Sequence, residues 1–265
     1  MLGKLLKYET KATARIFLPL YLALLLFAGI NKLISALDPQ KLHTPANISM
    51  VVYIIIMAGM FVMTFTVMIQ RFYKNLLSDE GYLMHTLPVK PWKHILSKLL
   101  ISMLWMLASV IMAILSVLII TYKKGALTEF FLRLGTIHEQ ILAQLGASGY
   151  LWVFEIILGA LITLASGILI IYASIAIGHL FSRHKFVGSF GAFIVLNTLS
   201  QIYFMIANLI IKANHAYHLS IYNISLYDFS NYQFLVWYTF VVIGLQCAAY
   251  FAATNYILNK RLNLE

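Results

Sequence analysis

The stretch ILSKLLISMLWMLASVIMAILSVLIITY, residues 95–122, carries one charged side chain, Lys98, and is otherwise apolar or weakly polar. A helix needs roughly 20 mostly apolar residues to cross a bilayer, and this stretch is longer. Five further stretches meet that condition: 16–37, 50–70, 150–180, 186–211 and 234–258. Of the 265 residues 11% are charged, far below the roughly 25% of soluble domains. We predict an all-α polytopic membrane protein, a single domain over residues 1–265 with six transmembrane helices.

The net charge of +10 is unevenly distributed between the two sides of such a protein. Thirteen basic residues fall on the side of both termini: Lys4, Lys7, Lys11, Arg15, Arg71, Lys74, Lys90, Lys93, Lys98, Arg183, Lys185, Lys260 and Arg261. Six fall on the other side: Lys32, Lys41, Lys123, Lys124, Arg133 and Lys212. By the positive-inside rule both termini are predicted to be cytoplasmic. The excess charge then orients the chain and contacts anionic lipid, and it gives no reason to expect nucleic acid as a partner.

The N-terminal segment 1–14 has apolar and basic residues on opposite faces of a helix. Leucines recur at helical spacing on one face, and lysines occupy the other: Leu2, Leu5 and Leu6 against Lys4, Lys7 and Lys11. This pattern predicts an amphipathic helix on the cytoplasmic membrane surface, with Pro19 either at the bend into the first span or in its opening turn. The alternative is a frayed basic terminus.

Motifs for catalysis or cofactor binding are missing from the sequence. It contains no G-x-x-x-x-G-K-[ST] phosphate loop, no H-E-x-x-H and no G-x-S-x-G, and its single cysteine is Cys247. We therefore expect no enzyme activity, no metal and no cofactor in this chain. The predicted outer loop 123–149 is too short for an independent enzymatic domain.

The segment SDEGYLMHTLPVKPWKH, residues 78–94, interrupts the apolar spans on the predicted cytoplasmic side. Ser78 can cap a short helix whose first turn carries Asp79 and Glu80, the charges that a helix N-terminus favours. Pro88 ends that helix and Pro91 can open the third span. From the residues alone, this loop 76–90 is either a docking helix for a partner or an ordinary solvated turn.

The same segment resembles the first cytoplasmic loop of ABC-2 type permeases, the membrane subunits of ABC exporters. The resemblance rests on Asp79 to Leu83, then Thr86 to Val89, then Ile95, Leu96 and Lys98, together with six spans and cytoplasmic termini. It implies a bacterial plasma-membrane protein that works as a homo- or heterodimer with separate ATP-binding subunits, which hold ATP and Mg²⁺. It also implies that the loop is a coupling helix, with contacts from Asp79, Glu80, Gly81, Tyr82, Leu83, Met84 and Leu87.

Polar and methionine side chains within the spans are candidates for a translocation pathway, which the resemblance places along the second and fifth spans. These candidates are Met57, Met60, Thr64, Asn197, Gln201 and Asn208. The alternative for all of them is helix packing through hydrogen bonds and flexible side chains. Glu155, in the fourth span, is predicted either to bind a cationic substrate, to relay a proton or to snorkel to the outer interface.

Two other functions fit a six-span chain without enzymatic motifs less well. A sensor or immunity subunit that only binds a toxic peptide would not need a coupling helix. An intramembrane enzyme would need a pair of carboxylates or another catalytic constellation within the spans, and the sequence offers none.

Overall fold

The computed structural model describes residues 2–37, 43–77, 90–122, 129, 132–133, 135–136, 139–140, 148–181, 183–214 and 229–260. Its six long helices are α1 Leu2–Leu37, α2 His43–Leu77, α3 Pro91–Thr121, α4 Ser148–Gly178, α5 Lys185–Asn214 and α6 Phe229–Lys260. Each contains an apolar segment long enough to cross a membrane, and the described residues contain no strand. The expectation of an all-helical, multi-pass membrane protein is thereby confirmed.

The N-terminal segment is part of one helix with the first span. α1 runs through Pro19 without ending, so a separate interfacial helix over 1–14 is not observed. One buried stripe spans this whole length at spacings of three or four residues: Glu9, Thr13, Phe17, Tyr21, Leu24, Ala28 and Asn31. Packing along that stripe compensates for the backbone hydrogen bond that a proline cannot make.

The described helices group into two compact units, and α2, α3 and α4 each contribute to both. Unit 1 comprises 1–71 and 96–153, whereas unit 2 comprises 72–95 and 154–265. The chain therefore passes from unit 1 to unit 2 within α2, directly after Arg71. It returns to unit 1 within α3, at Leu96. The predicted coupling loop lies between these two crossing points in the sequence.

The core of unit 1 is built from one stripe on each of α1, α2 and α3. Tyr53, Met60 and Val67 recur every seven residues on α2 and are buried with the α1 stripe. Trp105 of α3 stacks on Phe17 of α1, with ring centroids 4.6 Å apart. Stacked aromatic rings contribute beyond their buried area, so this contact fixes the register between α1 and α3.

Unit 2 joins the end of α2 to α4, and α5 to α6. Phe72 and Tyr172 are fully buried and stack with ring centroids 4.0 Å apart. Between α5 and α6, Tyr203 donates to the carbonyl of Val242 at 3.1 Å, and Tyr238 donates to the carbonyl of Ala207 at 3.0 Å. Each of the two helices thus contributes a tyrosine that donates a hydrogen bond to the backbone of the other helix.

The turn between α4 and α5 requires a glycine for steric reasons. A Cβ atom at Gly178 would lie 2.5 Å from the Cα of Ser189 and still closer to its backbone nitrogen. Atoms of the backbone cannot move aside as a flexible side chain can. The start of α5 therefore packs directly on the last residue of α4.

Replacing Gly178 with alanine should lower the stability of the purified protein by about 1–3 kcal/mol, because it forces α4 and α5 apart. Gly191→Ala is the matched control, since a Cβ there meets no atom within 4 Å. The control should be neutral or stabilising by up to about 1 kcal/mol, the helix propensity difference. Thermal unfolding in detergent measures both variants. Equal melting temperatures for the two variants would contradict the close approach.

Candidate functional site

A buried cluster of charged residues joins three helices of unit 1. Lys98 of α3 donates from Nζ to Oε1 of Glu9 in α1 at 2.6 Å. Arg71 of α2 lies on the other carboxylate oxygen, with Nη1 3.9 Å from Glu9 Oε2. The Lys98 side chain is only 3% exposed, against 30% for Arg71. The pair Glu9–Lys98 is therefore a buried ion pair, and Arg71 is a partly hydrated second cation.

Polar groups next to the ion pair connect it to the aromatic core. Thr13 accepts a hydrogen bond from the indole Nε1 of Trp105 at 2.7 Å and donates to the carbonyl of Glu9 at 2.7 Å. A cavity of about 20 Å³ lies among these groups, roughly enough for one water molecule. Trp105 and Thr13 thus hold the backbone that carries Glu9, and the position of the carboxylate follows from the packing.

A chain of hydroxyl groups continues along the same three helices. Ser109 of α3 lies 2.9 Å from the hydroxyl of Tyr21 in α1 and 2.8 Å from that of Thr64 in α2. Two of the predicted pathway residues, Met60 and Thr64, are therefore packed in the interior of unit 1, and Met57 packs against it. The structure brings these three together as packing residues; a role in translocation stays a prediction.

The predicted amide stripe on α5 has a different environment. Gln201 and Asn208 are exposed and lie in one shallow groove with Phe204, Met205 and Leu209. Asn197 instead donates to the carbonyl of Phe193 in its own helix at 3.1 Å. The structure thus brings Gln201 and Asn208 together on an exposed face, and Asn197 does not line the same groove.

Glu155 is buried within unit 2. It is only 3% exposed, and its Oε1 accepts a hydrogen bond from Nε2 of Gln233 in α6. Glu155 Oε2 and Gln233 Oε1 are buried, and no hydrogen-bond donor among the described residues reaches either oxygen. The three roles predicted for Glu155 stay predictions.

The seven residues predicted to contact an ATP-binding subunit lie outside the residues that the structure describes. They are Asp79, Glu80, Gly81, Tyr82, Leu83, Met84 and Leu87. The helices on either side of them are described up to Leu77 and from Pro91.

The turn after α4 lies near the end of α2 within unit 2. The rings of Tyr73 and His179 are tilted, with centroids 5.1 Å apart. Burial lowers the pKa of His179 below its ordinary value, and the nearby charge of Lys185 lowers it further. His179 is therefore neutral at physiological pH.

Sequence reasoning missed Glu9, Lys98 and Gln233 as parts of polar sites. Glu9 is the one acidic residue in a basic segment, and Lys98 is the one charge in 95–122. Isolated opposite charges in apolar surroundings are expected to pair, which was the available signal. Nothing in the sequence indicates that these two, 89 residues apart, are the pair.

Comparisons with known proteins give no further assignment. No protein-family model, no curated protein and no solved structure matches this chain.

Replacing Lys98 with methionine should destabilise the protein by about 3–5 kcal/mol, because it leaves the Glu9 carboxylate buried without its closest cation. Adding Glu9→Gln in the same chain should restore most of that loss, since a neutral pair needs no counter-charge. Thermal unfolding of the detergent-purified variants measures both effects. Lys74→Met, at an exposed position of α2, is the control and should have little effect. A Lys98→Met variant as stable as this control would contradict a structural role for the pair.

Proposed function

We propose that this chain is the membrane-spanning permease subunit of an ATP-driven ABC exporter in a bacterial plasma membrane. Two such chains, identical or related, form the translocation pathway, and separate subunits bind ATP and Mg²⁺. The loop 76–90 is the coupling helix that docks on the ATP-binding subunit. Six membrane-spanning helices, a chain without a phosphate-binding loop and the sequence pattern from Asp79 to Lys98 support this proposal.

The observation that carries the proposal is the position of Lys98. This lysine closes the sequence pattern that resembles the first cytoplasmic loop of ABC-2 permeases, and its side chain is buried against Glu9. A lysine needed only for membrane orientation would remain solvated or snorkel to the headgroups. Its burial supports a mechanical role for the end of the pattern, because the ion pair ties the start of α3 to the N-terminal part of α1.

Chain continuity supplies a route for the coupling motion. The loop is covalently joined to the end of α2 and to the start of α3, and both helices pass from unit 2 to unit 1 within a few residues of it. On the α2 side, Phe72 stacks on Tyr172 in unit 2, directly after Arg71 of the ion-pair cluster in unit 1. A displacement of the loop by closing ATP-binding subunits is therefore applied to both units at once.

The second chain of the proposed dimer is supported by the exposed amides of α5. Only 6% of the apolar window of α5 is buried within the chain, against 28% for α1 and for α2. Amide groups facing lipid are unfavourable, and polar residues of membrane helices generally face other helices or a cavity. A partner chain or a pathway next to Gln201 and Asn208 satisfies this requirement.

Co-purification tests the coupling role directly. The tagged chain, extracted from its own membranes with a mild detergent, should carry an ATP-hydrolysing subunit. Tyr82→Ala combined with Leu83→Ala should reduce the co-purified ATPase roughly tenfold or more, as expected when two docking side chains are removed. Mass spectrometry identifies the partner, and ATP hydrolysis measures the amount of active complex.

The chain offers a matched control in Tyr150→Ala with Leu151→Ala, the same pair of residues at an exposed position on the predicted outer side. This control should retain the ATPase. An ATPase retained equally by both double variants would reject the coupling helix. No ATP-binding subunit with the native chain would reject the exporter proposal and favour the sensor or immunity function.

Photo-cross-linking tests the partner at α5. A benzoylphenylalanine in place of Met205, beside Gln201 and Asn208, should produce a protein cross-link in native membranes on irradiation. The same residue in place of Ile111 of α3 is the control, because its exposed neighbours Leu107 and Ile114 are apolar and suit lipid. Cross-links to lipid alone at both positions would contradict a protein partner at α5.

A further inference from the structure

The pair formed by Glu155 and Gln233 contains two buried oxygens that lack a donor among the described residues. Gln233 Nε2 donates to Glu155 Oε1, which leaves Glu155 Oε2 and Gln233 Oε1 as acceptors. A carboxylate only accepts hydrogen bonds, so the amide must turn its nitrogen toward Glu155 and its oxygen away.

The charge of Glu155 distinguishes this pair from an ordinary buried hydrogen bond. Glu155 is only 3% exposed, and among the described residues no lysine, arginine or histidine forms an ion pair with its carboxylate. An unpaired carboxylate away from water is far more unfavourable than an unpaired neutral group. A water molecule can donate to both free oxygens, but it does not balance the charge. A positively charged ligand can be bound by both oxygens and also balances the charge.

The composition of the pair selects the class of ligand. Carboxylate and amide oxygens are hard donors, which suit alkali cations and the N–H groups of ammonium. One carboxylate balances one positive charge. A divalent cation would leave one positive charge unbalanced by this single carboxylate, and zinc prefers nitrogen or sulfur ligands. No group of three or more histidine, cysteine, aspartate or glutamate residues that could hold a metal occurs in the described part of the chain.

The pair lies near one end of each of its two helices. Glu155 lies two turns from the first residue of α4, and Gln233 is the first residue of the apolar segment of α6. Both residues are therefore near the ends of their helices. A cation that reaches them does not have to cross the hydrocarbon core, where its desolvation would be prohibitive.

We propose that Glu155 and Gln233 form a binding site for one monovalent cationic group, either a small alkali cation or a protonated amine. Glu155 Oε2 supplies the balancing charge and Gln233 Oε1 the second ligand. The role of the Gln233 amide is to hold the carboxylate in place and to add its own oxygen to the site. This site does not depend on the exporter proposal, because it requires neither ATP nor a partner chain.

Thermal unfolding of the full-length protein in detergent tests the site at constant pH and ionic strength. Sodium, potassium or methylammonium chloride is titrated against tetraethylammonium chloride, a bulky cation without N–H donors. At least one of the three should raise the melting temperature saturably, by roughly 3–6 °C, since a ligand that binds only the folded state stabilises it. A response to sodium or potassium indicates an alkali cation as the ligand, and a response to methylammonium indicates a protonated amine.

Glu155→Gln should abolish this dependence and be at least as stable as the native chain in tetraethylammonium, because its amide supplies an N–H and carries no charge. Glu139→Gln, the same change at an exposed carboxylate, is the matched control and should keep the dependence. If Glu155→Gln does not fold, Glu155→Asp keeps the charge and should shift the titration to higher concentration. A melting temperature insensitive to all three cations, or equally sensitive in Glu155→Gln, would overturn the proposal. Sensitivity to pH alone would also overturn it in favour of a proton.

Discussion

The membrane environment constrains the whole fold, because charged and polar groups away from water must find partners within the protein. Long helices satisfy the backbone, and the six apolar helices follow from that requirement. Side chains face the same requirement individually. Glu9, Lys98 and Glu155, three buried charged side chains, consequently mark the places where helices must meet in a defined way.

Polar contacts specify the packing of unit 1 because apolar contacts cannot. In lipid, a leucine gains little by leaving the acyl chains for another helix, so hydrophobic burial does not select partners. The hydrogen bonds between Tyr21, Thr64 and Ser109 involve α1, α2 and α3 at one level. The ion pair and the Trp105–Thr13 bond act at the next level. Changing the register of α1 or α3 would break contacts at both levels, so these contacts specify how the two helices pack.

The sequence predicts the elements of this fold well and their contacts poorly, for a physical reason. Span existence and approximate bounds depend on local composition, which is readable in a window of about 20 residues. The separate interfacial helix expected over 1–14 is not observed, because α1 continues through Pro19, where packing on both sides at Phe17 and Tyr21 allows a proline to be tolerated. The partner of Lys98 depends on which helices are neighbours, and that information is not local. Whether Gln201 and Thr64 are exposed or buried also depends on which helices are neighbours.

The ion pair also limits how the proposed coupling can work. The pair resists separation, with Lys98 3% and Glu9 11% exposed, because both charges would have to be rehydrated or left unpaired. α1 and the start of α3 should therefore move together as one body when the loop is displaced. Arg71, which is 3.9 Å from Glu9 and partly hydrated, can leave the cluster at much smaller cost. In the proposed coupling, α2 would then be the element that moves at this end of unit 1. Its buried Met60 and Thr64 would lose their packing as it shifts. Their present burial is therefore compatible with the predicted place of both residues along a pathway of the proposed exporter.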